Sequence, residues 1–178
     1  MGFMARWLSD AIGLVCALAF AVLAMQLPAL TRDYMGALLQ VSQDARRDID
    51  QREASARQYY HITDTTDAQV IAALKEHEPS NAVTLQESLD RAGALQAAYD
   101  RINTTPPLLQ PPVAALDAVR DEHGFRITVL RTTIEAYAPQ IVLSLAAAMY
   151  GLVGLVVGSF VGQALVSILG LAPVRRRV

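Results

Sequence analysis

The chain is poor in charge and almost free of cysteine. Only 18% of its 178 residues are Asp, Glu, Lys or Arg, against about 25% in an ordinary soluble domain. The single cysteine, Cys16, excludes an internal disulfide, and there is no Cys-x-x-Cys pair to hold zinc. The net charge is −2 and the isoelectric point near 5.9. With no basic patch in addition, nucleic acid is not an expected partner. No nucleophile elbow, phosphate-cradling glycine loop or His-Glu-x-x-His helix occurs. The three histidines, His61, His77 and His123, lie 16 and 46 residues apart, not at the i, i+4 spacing that puts two ligands on one helix face. No catalytic residue, metal site or cofactor is therefore assigned, and an enzyme is not expected.

What the chain does have is long uncharged runs. Residues 11–31 and 136–174 carry no charge. A helix needs about 20 apolar residues to cross about 30 Å of hydrocarbon, so both runs are predicted membrane helices, the second with its core at 141–171. The first is read as a retained anchor, although Ala19-Phe20-Ala21 resembles a signal cleavage site, because the apolar run continues to Leu30. Cys16 lacks the surroundings of a lipoprotein cysteine and is expected to be an apolar helix residue.

Arg6 before the first run and Arg175, Arg176 and Arg177 after the second place both termini in the cytoplasm. These arginines also serve as contacts for lipid headgroups. The middle then lies outside, in a bacterial periplasm, although Arg32, Arg126 and Arg131 on that side weaken the bias. Asp10, three residues from Trp7, reads as an interfacial carboxylate. Gln26 and Gln163 read as polar glue between helices.

The middle holds 16 acidic and 11 basic residues between positions 28 and 138. Apolar residues recur there at three and four. Tyr34, Leu38, Val41, Ala45, Ile49, Arg52, Ala56 and Tyr59 trace one stripe. No Gly or Pro interrupts residues 37–60, so the first membrane helix is expected to run on outward as a stalk, with Pro28 as a possible kink. Arg46 and Arg47 alternate with Asp44, Asp48, Asp50 and Glu53, which makes a solvated, self-paired face rather than an anion site.

After a polar break at 61–66, Thr66 and Gln69 have capping-box spacing and open a short helix carrying Val70, Ile71 and Leu74 up to Pro79. Thr84 and Glu87 repeat the spacing for a return helix with Leu85, Leu89, Ala92, Leu95, Tyr99 and Ile102 inward and Asn103 as its stop. Four prolines at 104–112 make a stiff corner. Pro112 then opens a helix with Val113, Leu116 and Val119 on its apolar face, ended by Gly124. Residues 125–134 are rich in β-branched side chains, but a lone strand has no partner, so helix is expected.

The most specific pattern is Gly154, Gly158 and Gly162, every fourth residue of the second membrane run, with Ala147 and Gly151 extending it. In lipid such spacing clears one face for close backbone approach. Gly13, Ala17 and Ala21 give the first run a matching face. The two faces pack within one chain or against another subunit.

Taken together, Gln26-Leu27-Pro28, Tyr34, Gly36, Tyr137, Pro139, Tyr150-Gly151, Gly154 and Gly158 resemble a bacterial family of small two-pass inner-membrane proteins of unknown function. The resemblance implies the topology and no activity. The expected fold is all-α: residues 1–31 as tail and first membrane helix, 32–138 as an extracytoplasmic helical hairpin or small bundle, and 139–178 as second membrane helix and basic tail. The expected function is a non-enzymatic accessory or scaffold subunit. Its expected partners are lipid and either other membrane subunits or a second copy. The alternative is a sensory module signalling through a separate output partner.

Overall fold

The computed structural model describes residues 2–63, 66–140 and 144–168. Among these the chain is all-helical: α1 (Gly2–Tyr60), α2 (Asp67–His77), α3 (Pro79–Asn103), α4 (Gln110–Val119), α5 (Phe125–Ala136) and α6 (Leu145–Ile168). Two helices, α1 and α6, are long and apolar enough to cross a membrane. Helix α1 runs unbroken for 59 residues with Pro28 inside it. Pro28 has no N–H to offer the preceding turn, and a turn later the Thr31 hydroxyl donates to the Leu27 carbonyl at 2.8 Å. The chain divides into two compact units, one of residues 1–31 with 138–178, the other of 32–137.

In the first unit, α6 begins behind Ser144, whose hydroxyl oxygen accepts the Ala147 N–H at 3.1 Å. That satisfies one of the amides a helix start leaves without partners. At 24 residues α6 spans about 36 Å.

In the second unit, α3 packs antiparallel to α1, because the early part of one meets the late part of the other. One cluster joins Tyr34, Met35 and Leu38 to Leu95, Ala98 and Ile102, with Ala114 of α4 and Val129 of α5. The other joins Ile49 and Ala56 to Ala82, Leu85 and Ala92, with Val70 and Leu74 of α2. Between them, buried Ser42 donates to the Ala92 carbonyl at 3.1 Å. A small side chain there allows α1 and α3 to approach, and its hydroxyl stays paired.

Three sequence expectations change. The α1 stripe passes through Glu53 and not Arg52: Glu53 is 2% exposed while Arg52 faces solvent, and Tyr60 turns inward where Tyr59 is 77% exposed. Four-residue steps from Ile49 follow the 3.6-residue period better than the step to Arg52. Thr84 does not start the return helix. It sits inside α3 and donates to the Ser80 carbonyl at 2.8 Å. The start is Pro79, directly after α2, at a position where no N–H is needed. Thr66 is the N-cap of α2 as expected, although its hydroxyl bonds the Gln69 side chain and no backbone amide.

The third change is the face of α4. Pro111, Ala114, Asp117 and Ala118 are buried, while Leu116 and Val119 are 53% and 78% exposed. An acid therefore replaces the predicted apolar face, because Asp117 finds two guanidinium partners inside.

Helix α5 covers the ambiguous segment. Gly124 precedes it at φ 74°, a conformation that suits glycine. Thr128 donates to the Gly124 carbonyl at 2.6 Å, Thr132 to Val129 at 3.0 Å and Thr133 to Val129 at 2.7 Å. These back-bonds make β-branched threonines compatible with the helix.

Glu53 accepts from Arg57 at 3.0 Å through one oxygen, while its other oxygen is buried without a hydrogen bond. Burial first, then the charge of Asp67, raises its pKa, with Arg57 and Arg46 opposing. Between the ordinary carboxyl value and that raised value the folded chain binds more protons than the unfolded one. Stability therefore falls as pH rises through this window. Glu53→Gln is expected to flatten that slope and raise the melting temperature at neutral pH by a few degrees, read by thermal denaturation of the full chain. A lower melting temperature would show that the Arg57 contact outweighs the burial.

Candidate functional site

In the first unit the four glycines of α6 lie against α1. A Cβ placed on Gly158 would stand 2.6 Å from the Cys16 carbonyl oxygen and 2.8 Å from the Ala17 Cα. One on Gly162 would stand 2.9 Å from the Gly13 Cα. Gly154 faces the Phe20 carbonyl and Ala24, and Gly151 faces the Met25 side chain at 2.7 Å, with the Ala21 carbonyl at 3.9 Å. Three of the four meet backbone, which cannot move aside as a side chain does. Gly13 and Ala17 are thus brought to the glycine row, Ala21 touches only its end, and Phe20 and Ala24 occupy places that the sequence pattern missed.

Cys16 is half-buried, its carbonyl oxygen against Gly158. The Gln26 side-chain oxygen accepts the Gln140 N–H at 3.2 Å. Asp10 and Gln163 are exposed. Arg6 lies in α1, while Arg175, Arg176 and Arg177 lie outside the described residues.

The second unit holds an ionic cluster that the sequence did not announce. Asp117, its side chain 1% exposed, accepts from Arg101 and from Arg126 at 2.9 Å. Asp121, also buried, accepts the backbone N–H groups of Arg126 at 2.5 Å and Ile127 at 3.2 Å, and lies 3.3 Å from the Arg126 guanidinium. It caps the start of α5, where amides lack helical partners. Burial works to raise the Asp121 carboxyl, but those two amides and Arg126 together hold it below its ordinary value. Tyr34, fully buried, donates to the Arg126 carbonyl at 3.5 Å, and burial and then the Asp117 charge push its hydroxyl pKa up. The cluster ties α1, α3, α4 and α5 together. Its trace in the sequence is Asp117, Asp121 and Arg126 at spacings of four and five, spread over α4, the connection after it and α5, where the expected polar face of α4 hid it.

The other charges behave as a solvated face. Arg47 pairs with Asp44 at 2.7 Å and Arg52 with Asp48 at 2.7 Å. Arg46 pairs with Asp50 and reaches Asp67 at the start of α2 at 2.6 Å. His77 stacks on Tyr60 with centroids 4.9 Å apart, and Tyr60, bonded to Glu78, has its pKa pushed up to about 12. His123 stacks on Phe125. Among the described residues no group of three or more His, Cys, Asp or Glu is arranged to hold a metal ion.

Fold and contacts define an all-helical chain with two candidate membrane spans packed through glycines. The chain belongs to the family described as "Protein of unknown function (DUF2937)", which matches residues 8–176. An uncharacterised family is what the resemblance implied. No curated protein and no solved structure gives a significant match.

Two substitutions test these contacts. Gly158→Leu is expected to drive α6 off α1 and to speed maleimide labelling of Cys16 in detergent several-fold. Gly36→Ala, at a glycine with open space around it, leaves the rate unchanged. An unaltered rate in Gly158→Leu would refute the close packing. Arg126→Ala leaves two buried carboxylates short of their shared cation and is expected to cost about 3–5 kcal/mol in chemical denaturation. A loss under about 1 kcal/mol, typical of surface pairs, would show that the cluster is solvated.

Proposed function

We propose that this chain is a bacterial inner-membrane protein that crosses the membrane twice, with both termini in the cytoplasm and residues 32–137 in the periplasm. It acts as a non-enzymatic accessory or scaffold subunit of a larger membrane assembly. Membrane placement is supported by large apolar side chains left exposed on both long helices, among them Leu14, Val15, Leu23, Leu152, Val153 and Phe160. Such surface is stable in lipid and not in water.

The observation that carries the scaffold reading is the orientation of α4. It turns Asp117 inward and presents Leu116 and Val119 outward, with Pro112 at helical spacing on the same face. In a unit surrounded by water, an outward apolar face beside the exposed Leu108 and Leu109 suits docking of another protein. The glycine row of α6 already lies against α1. Of the two alternatives that the glycine spacing left open, this supports packing within one chain, so a partner would meet the chain through other faces.

The sensory reading rests on a second feature, a cleft of about 580 Å³ lined by Asp48, Arg52, Tyr59, Tyr60, Glu78 and Asn81. Its size is that of small-molecule sites.

Extraction of the tagged full chain from native membranes in mild detergent, native electrophoresis and mass spectrometry of co-migrating chains distinguish the two. A stoichiometric partner, lost in Leu116→Glu or Val119→Glu without loss of helical content, is the expected result. Migration as a monomer or self-oligomer alone would overturn the scaffold reading and leave the sensory one.

A further inference from the structure

Beside the glycine contact, and sharing Gly13 and Ala17 with it, α1 and α6 form an open groove of about 550 Å³. Its polarity is graded. Ser9, Asp10 and Gln163 line one end together with Val166, and Leu14, Ala17, Leu18 and Leu155 line the other. Ser159, between them, spends its hydroxyl on the Leu155 carbonyl at 2.8 Å and so presents little polarity. Gly13 borders open space there: a Cβ on it would meet nothing within 4 Å. From Asp10 to Leu18 the helix rises about 12 Å, most of the depth of one leaflet's hydrocarbon, which is half of about 30 Å.

We propose that this groove binds one membrane amphiphile with a primary-amine head, the head at Asp10 and Gln163 and an acyl chain along Ala17, Leu18 and Leu155. Asp10 is the one charged residue among the described residues that line the groove, so the site favours a cationic N–H donor over a purely anionic head. A charge-assisted hydrogen bond near lipid provides the selectivity. A second copy fits less well, because two-fold pairing through this face brings both Asp10 carboxylates together. The proposal rests on membrane placement of the two helices and not on the scaffold reading.

The test uses the full chain reconstituted in vesicles of phosphatidylethanolamine or of phosphatidylglycerol, then released into mild detergent for native mass spectrometry. Carbonate washing of the vesicles reports separately whether the protein is integral. The wild type is expected to remain integral and to retain one phosphatidylethanolamine about tenfold better than phosphatidylglycerol. Asp10→Asn removes the preference. Gly13→Leu, which fills the groove, removes retention. Equal retention of both lipids, or an unchanged preference in Asp10→Asn, would mean annular lipid only and overturn the site. Co-migration of a second protein that protects the groove would overturn it in favour of a helix partner. Release by carbonate would instead remove the membrane placement on which the site depends.

Discussion

The contact of Gly158 with the backbone of Cys16 and Ala17 is the constraint on which the first unit depends. Helices in lipid gain little by burying apolar side chains against each other, since the acyl chains are equally apolar. They associate when backbones come close enough for dispersion and weak Cα–H contacts to add up. Gly154, Gly158 and Gly162 on α6 provide that approach along several turns. Their regularity leaves the opposite faces of both helices, crowded with Leu and Val, exposed.

The second unit solves a different problem. Its apolar residues are mostly alanines and isolated leucines, so the core is thin and buried charge takes part in defining it. Asp117 and Asp121 share Arg126, and Tyr34 closes the set. Such clusters are poor sources of net stability compared with apolar packing, yet each member punishes any arrangement that separates it from the others. Here they fix which face of α4 points inward.

Much of this was legible in the sequence. The glycine and proline residues carried the most information because they act through the backbone, which one residue determines: the row on α6, the corner at 104–112, and Gly124 before α5. Asn103 as the end of α3 and Thr66 as the start of α2 followed from local hydrogen bonding. Orientation about a helix axis was less legible wherever a charge is buried. Glu53 and Asp117 look like solvent residues until their surroundings are in place: Glu53 pairs with Arg57 four residues on in the same helix, while Asp117 draws on Arg101, sixteen residues away on α3. Pro79 and Thr84 show a second limit. Both are start signals, five residues apart, and the proline prevailed because its ring forbids α2 to continue while Thr84 tolerates a helix interior.

The threonines of α5 carry a consequence for how polarity is counted. With their hydroxyls turned onto carbonyls of the preceding turn, they offer their surroundings a methyl group and a spent donor, much as valine would. Residues 128–133 are then less hydrophilic than their formula, and a residue-by-residue hydropathy overstates the polarity of that surface. The threonine turns of α5 therefore count as apolar surface, while Arg131 and Glu135 keep the rest of the helix charged.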